Sequence, residues 1–146
     1  FGEGEFDAAL VSFGVRNFED RMKGLKEIRR VMKSGGPERL VILEVSVPEN
    51  IGAMKPLFEF FVEKAVPFMG GLISGYPEAY KYLQTSMLKF PNDETFKGML
   101  EEAGFEVKEN VRLQPFGLGP SMWVCSPRVD AAGEGTSAET EPSVET

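Results

Sequence analysis

The sequence has no histidine and a single cysteine, Cys125, in 146 residues. The first absence removes a Ser-His-Asp triad, a two-histidine metal site and the usual general base at neutral pH. The second removes an internal disulfide and any multi-cysteine zinc site, so no metal is expected. Positive charge is scarce as well. Lys and Arg total 16 against 23 Asp and Glu, a net charge of −7, which argues against a nucleic-acid partner. Most of the imbalance lies at one end: no Lys or Arg follows Arg128, whereas Asp130, Glu134, Glu139, Glu141 and Glu145 do. The rest of the chain is close to neutral. No apolar run approaches the ~20 residues that cross a bilayer, and no signal-peptide pattern is visible. A reducing cytoplasmic setting is the natural reading. Chemistry in such a chain must draw on arginine, carboxylates, tyrosine, backbone groups or a cofactor.

What is present suits one folded domain: 42% hydrophobic and 27% charged residues. Residues 6–13 (FDAALVSF) form a short apolar run that predicts a buried strand, with Gly14 marking a turn. Glu19 and Asp20 then open a helix in which Met22, Leu25, Ile28 and Val31 recur at helical spacing. Ser34-Gly35-Gly36-Pro37 stops it. Residues 40–47 (LVILEVSV) read as a second buried strand ended by Pro48. Strand, helix, strand is a βαβ unit, so the sheet is at least partly parallel.

From Ala53 to about Phe90 the chain turns helical, apolar and aromatic. Leu57, Phe58, Phe60, Phe61, Val62, Ala65 and Val66 are dense enough to bury more than one helix face. Pro67 and Gly70-Gly71 are expected to interrupt this helix, and residues 73–77 to form a loop before Pro77 starts another. Asn92 or Asp93 caps the next helix, which Gly104 ends. Residues 105–113 and 122–125 read as closing strands. The Gly/Ala/Ser/Thr/Glu tail, residues 127–146, has almost nothing apolar to bury and is expected to be disordered.

Three strings, in order, carry a resemblance: FDAALVSFGVRNFED (6–20), RRVMKSGG followed by LVILEVS (29–46), and GGLISGYPEAYKYLQTSMLKFPNDETFKGMLEEAGF (70–105). They are similar to the ubiquinone/menaquinone biosynthesis C-methyltransferases. Two departures stand out: Ser34 replaces a signature proline, and residues 36–39 carry an extra residue or two in a surface turn. The resemblance implies an α/β fold, the C-terminal part of a class I (Rossmann-like) S-adenosylmethionine-dependent methyltransferase over residues 1–126, with a helical lid insertion at about 50–90. The family's Gly-rich loop, its ribose-binding acid and its adenine-side pair are not matched. The expectation is therefore a chain cut off from the half that binds most of the cofactor, inactive alone.

The implied reaction is methyl transfer from S-adenosylmethionine to a ring carbon of a polyprenylated quinol, in the first place demethylmenaquinol. The alternatives are a 2-methoxy-6-polyprenyl-1,4-benzoquinol methylase or a non-catalytic half-domain. By resemblance Ser12 contacts the cofactor and Arg16 with Asn17 forms the catalytic pair; Ser46, Ile73, Tyr76 and Tyr80 are substrate-side candidates. From the residues themselves, Ser12 is equally a buried serine satisfying backbone, and Arg16 a surface arginine pairing with Glu19 or Asp20. Glu44, inside an apolar strand, either pairs with a basic group or points into the site. Gly70, Gly71 and Gly75 resemble the hinges of a mobile lid. Tyr82 joins Tyr76 and Tyr80 as a ring-contact candidate. The aromatic helix from Leu57 to Phe68 either packs as core, accepts a prenyl tail or rests on a membrane surface. A homodimer is compatible with the family, but nothing in the sequence requires one.

Overall fold

The computed structural model describes residues 1–34, 39–46, 52–113 and 119–129. Strand β1 (Ala8–Ser12) leads through a 3-10 turn, Val15–Asn17, to helix α1 (Arg21–Val31) and strand β2 (Arg39–Glu44). Asp20 caps α1, its carboxylate accepting the Lys23 N–H at 2.9 Å. The helix ends at Val31, ahead of the expected glycines: Met32 is already extended (φ −86°, ψ 140°) and forms a parallel bridge with Phe6. Of the proposed stop signal, Gly35, Gly36 and Pro37 lie outside the described residues, as do Val47 and Pro48 at the end of β2.

Helix α2 (Lys55–Phe60) passes through a π-helical turn (Phe61–Ala65) into α3 (Val66–Ser74), followed by α4 (Pro77–Leu88) and α5 (Asp93–Glu102). Strands β3 (Phe105–Arg112) and β4 (Ser121–Pro127) complete the chain. The four strands make one sheet in the order β1-β2-β4-β3. β1 and β2 are parallel, whereas β4 runs antiparallel to both β2 and β3. β4 extends past the proposed ordered boundary. Pro127 pairs with Phe105, and Arg128 donates its N–H to the Gly104 carbonyl at 2.8 Å. The remaining tail, residues 130–146, lies outside the described residues.

Strand alternation sorts the sheet into two faces. Leu40, Ile42, Trp123 and Cys125 lie on one of them and pack in a single buried core with Leu25 of α1 and Phe96 and Leu100 of α5. Phe96 meets Trp123 edge to face, with ring centroids 4.9 Å apart. Burial in this core pushes the Cys125 thiol up to about 12, so it stays protonated and unreactive. The other face carries Leu10, Val41, Leu43, Met122 and Val124, none of them buried. β1 is thus not the fully buried strand its composition predicts. Ala9 and Val11 turn toward the core, while Ala8, Leu10 and Ser12 are exposed, Leu10 at 72%.

The helical segment departs most from expectation. Neither Pro67 nor Gly70-Gly71 breaks it. The proline ring would crowd the carbonyl four residues back, and the π-helical turn just before it, with the Val66 N–H bonded to the Phe61 carbonyl, relaxes that register. The glycines sit inside α3 because α4 lies against them. A Cβ on Gly70 would fall 2.2 Å from the Tyr80 ring, and one on Gly71 3.0 Å from Pro77. These two are contact glycines rather than hinges. Of the three, Gly75 alone has a positive φ, 74°, and ends its helix in the left-handed region. Gly70→Ala is therefore expected to loosen the α3–α4 pair at a cost of about 1–3 kcal/mol. Faster amide exchange across residues 66–88 is the measurement, and unchanged exchange would contradict the packing.

This helical pair also fails to bury more than one face. Val62 and Gly70 are buried, but Leu57, Phe60, Phe61, Phe68, Met69, Leu72 and Ile73 are all exposed. Among the described residues no helix is long and apolar enough to cross a membrane.

Candidate functional site

Because β1 and β2 are parallel, their carboxyl ends lie at the same end of the sheet, where open α/β sheets bind ligands. β4 begins and β3 ends there too, since Glu44 pairs with Ser121 and Ser121 with Arg112. Two polar clusters occupy this end.

The first is built on Glu44. Its carboxylate is fully buried, which in an apolar strand demands partners. It accepts the Arg16 guanidinium at Nη1 (2.6 Å), the Arg16 backbone N–H (3.1 Å) and the Val45 N–H (3.0 Å). The arginine side chain keeps only 12% of its surface exposed. So Arg16 pairs with neither Glu19 nor Asp20: the latter is occupied in capping α1, and the buried strand end supplies the counter-ion instead.

The turn preceding Arg16 depends on an unusual backbone. Phe13 has φ 53°, which costs a bulky L-residue about 1–2 kcal/mol. Its carbonyl consequently accepts both Arg16 Nη1 at 2.7 Å and Asn17 Nδ2 at 3.4 Å. Arg16 is held along its Nη1 side. Nε is buried without a partner, and Nη2 has none among the described residues. Nε–H is enclosed, which leaves Nη2 as the guanidinium donor free to meet an anionic oxygen such as a phenolate.

The second cluster joins Ser46, Asp93, Arg112 and Ser121. Asn92 caps α5, accepting the Thr95 N–H at 2.7 Å, which frees the Asp93 carboxylate. Asp93 then accepts from Arg112 Nη2 (2.8 Å), Ser46 Oγ (3.0 Å) and Ser121 Oγ (3.2 Å). Arg112 also donates to the Ser46 and Gly119 carbonyls, both at 3.1 Å. Ser46, expected to face a cavity, is instead enclosed in this network. Its groups are paired with one another, so the cluster ties β2, β3, β4 and α5 together. In the sequence Asp93 reads only as a helix-cap candidate and Arg112 belongs to no motif; the packing of α5 against the end of β3 brings them together.

The remaining candidates divide. Ser12 is exposed at the end of β1, which removes the reading of it as a buried serine. Tyr80 packs on Gly70. Ile73 and Tyr76 are exposed, and no hydrogen bond or ring contact joins them to the Arg16 turn among the described residues. Tyr82 does reach it: its hydroxyl donates to Asn17 Oδ1 at 2.8 Å. Two residues along a helix turn the side chain by about 200°, so Tyr80 and Tyr82 leave α4 on opposite sides. Among the described residues no group of three or more His, Cys, Asp or Glu could hold a metal ion.

The ubiquinone/menaquinone biosynthesis C-methyltransferase of Geobacter sp. (strain M21) is 47% identical over 106 residues, covering 73% of this chain and 43% of that protein. The demethylmenaquinone methyltransferase of Thermus thermophilus is 44% identical over 118 residues, covering 81% of this chain and 51% of that protein. The chain spans about half the length of these relatives. The solved structure of a SAM-dependent methyltransferase from Thermotoga maritima aligns with a TM-score of 0.52 at 18% identity, covering 88% of this chain and 58% of that one. That likeness shows the class I, Rossmann-like fold. The family model of the ubiE/COQ5 methyltransferases matches residues 1–121, and the chain belongs to that family.

Proposed function

We propose that this chain supplies the acceptor-binding half of an S-adenosylmethionine-dependent enzyme that C-methylates a polyprenylated quinol, demethylmenaquinol in the first place. The observation that carries the reading is the Arg16 guanidinium, held through Nη1 by buried Glu44 and the Phe13 carbonyl, with Nη2 unpaired among the described residues. Its surroundings fit the cofactor on one side only. Ser12 stands exposed at the carboxyl end of β1 and would contact it, while the free edge of β1 and the uncovered face around Leu10 leave room for the other half of the length that the relatives possess.

Bound S-adenosylmethionine would supply an electrophilic methyl group. The chain's own task is to make a ring carbon nucleophilic by stabilising the neighbouring hydroxyl as a phenolate. An arginine is a poor base but a permanent cation. Arg16 would lower the acidity threshold of that hydroxyl, whose proton leaves to water, and Asn17 would orient it. Placement of the ring then decides how often carbon and methyl align. The exposed apolar face from Leu57 to Ile73 would take up the prenyl chain, drawing the substrate from the bilayer surface that holds it.

The test uses the protein expressed from its complete gene, with methyl-labelled cofactor and the two quinols as separate acceptors. Incorporation into demethylmenaquinol is expected, and Asn17→Ala should lower kcat about tenfold or more. Faster labelling of 2-methoxy-6-polyprenyl-1,4-benzoquinol would transfer the assignment to the ubiquinone branch. Label in neither would leave a non-catalytic protein.

A further inference from the structure

The helical segment and the Arg16 turn come from distant parts of the chain, yet they meet at one side-chain hydrogen bond, Tyr82 Oη to Asn17 Oδ1 at 2.8 Å, across 65 positions of sequence. Toward α3, α4 sets Pro77 on Gly71 and Tyr80 on Gly70, while its buried residues Ser86 and Met87 lie about a turn beyond Tyr82. Tyr82 is 59% exposed, so little apolar burial holds its ring where it is. The hydroxyl contact fixes the outer end of this half-exposed side chain.

We infer that Tyr82 is a positioning residue that holds the Asn17 amide in place at the Arg16 turn; the inference rests on the role proposed for Asn17 above. An asparagine amide has two nearly isosteric orientations, and its neighbours decide between them. Here the Tyr82 hydroxyl donates to Oδ1 while Nδ2 donates to the Phe13 carbonyl at 3.4 Å. In the flipped orientation, Oδ1 would face the Phe13 carbonyl oxygen, acceptor against acceptor. The Tyr82 hydroxyl could also accept from Nδ2, so the Phe13 carbonyl selects the orientation; that contact is long and weak, and Tyr82 supplies the shorter bond that keeps the amide in place. One amide N–H of Asn17 then remains directed away from both, available to a substrate hydroxyl or phenolate. The same bond makes the helical segment part of the site: when α4 is seated against the turn, Asn17 is set, and when it is not, the amide is free to turn.

The test is a double-substitution cycle in the protein expressed from its complete gene. Tyr82→Phe removes one exposed oxygen and leaves the ring, so the fold is preserved. It is expected to lower kcat about fivefold to tenfold with KM for S-adenosylmethionine unchanged, and to have no further effect in an Asn17→Ala background. In the unliganded protein, amide exchange across residues 14–18 should quicken in Tyr82→Phe. Effects of the two substitutions that multiply, or a Tyr82→Phe enzyme with unchanged kcat, would overturn the positioning role while leaving Asn17 in the site. An Asn17→Ala enzyme with full activity would instead overturn the reading on which it rests.

Discussion

Glu44→Ala is expected to destabilise the folded chain by about 3–5 kcal/mol, the range seen when one partner of a buried ion pair is removed. The carboxylate is fully buried and accepts three N–H groups, two from Arg16 and one from Val45. Its loss strands a guanidinium that is 12% exposed and already has a buried Nε without a partner. It also releases the Arg16 backbone N–H, which otherwise holds the 3-10 turn against the end of β2. Denaturant unfolding followed by circular dichroism measures the difference. Glu44→Gln, which keeps an acceptor oxygen but not the charge, should lose roughly half as much. A change under about 1 kcal/mol for Glu44→Ala would mean that the pair contributes little beyond filling space.

The second large effect concerns Arg16. In the protein expressed from its complete gene, Arg16→Lys is expected to lower kcat by about 10²–10³, the typical effect of deleting one preorganised donor at a developing anion. KM for S-adenosylmethionine should move no more than a few-fold. Lysine keeps a cation opposite Glu44, so the buried carboxylate is not left alone. What it lacks is the rigid planar fork that presents a second donor, Nη2, while Nη1 is held by Glu44. Arg16→Ala is a less clean probe because it strands Glu44, and pairing it with Glu44→Gln restores the charge balance. A rate loss matched by an equal loss of cofactor affinity would count against a role in the transition state.

Much of the architecture is legible because it is local. Apolar runs of strand length, a capping aspartate before α1 and Gly104 after α5 are short-range signals, and the order of elements follows from them. The family resemblance, carried by three separated strings, extends to the Arg16–Asn17 turn and to Ser12. The positive φ of Phe13 gave no such signal, since a bulky residue stands where glycine would have announced the turn.

Composition misled where it had to stand in for packing. The aromatic helices look like core, but core requires a second surface, and none of the described elements covers Leu57, Phe68 or Leu72. Gly70 and Gly71 look like a break, yet glycine inside a helix equally signals close approach, and only the position of Tyr80 and Pro77 discriminates. Sequence by itself determined the α/β class, the family and the loop that carries the candidate chemistry, because periodicity, caps and motif order are properties of neighbouring residues. Tertiary structure alone decided which partner Arg16 takes, which tyrosine meets Asn17 and that Ser46 closes a network. Those outcomes depend on strand register, on the rotation of α4 about its axis and on where α5 packs, which bring together residues 28, 65 and 47 positions apart.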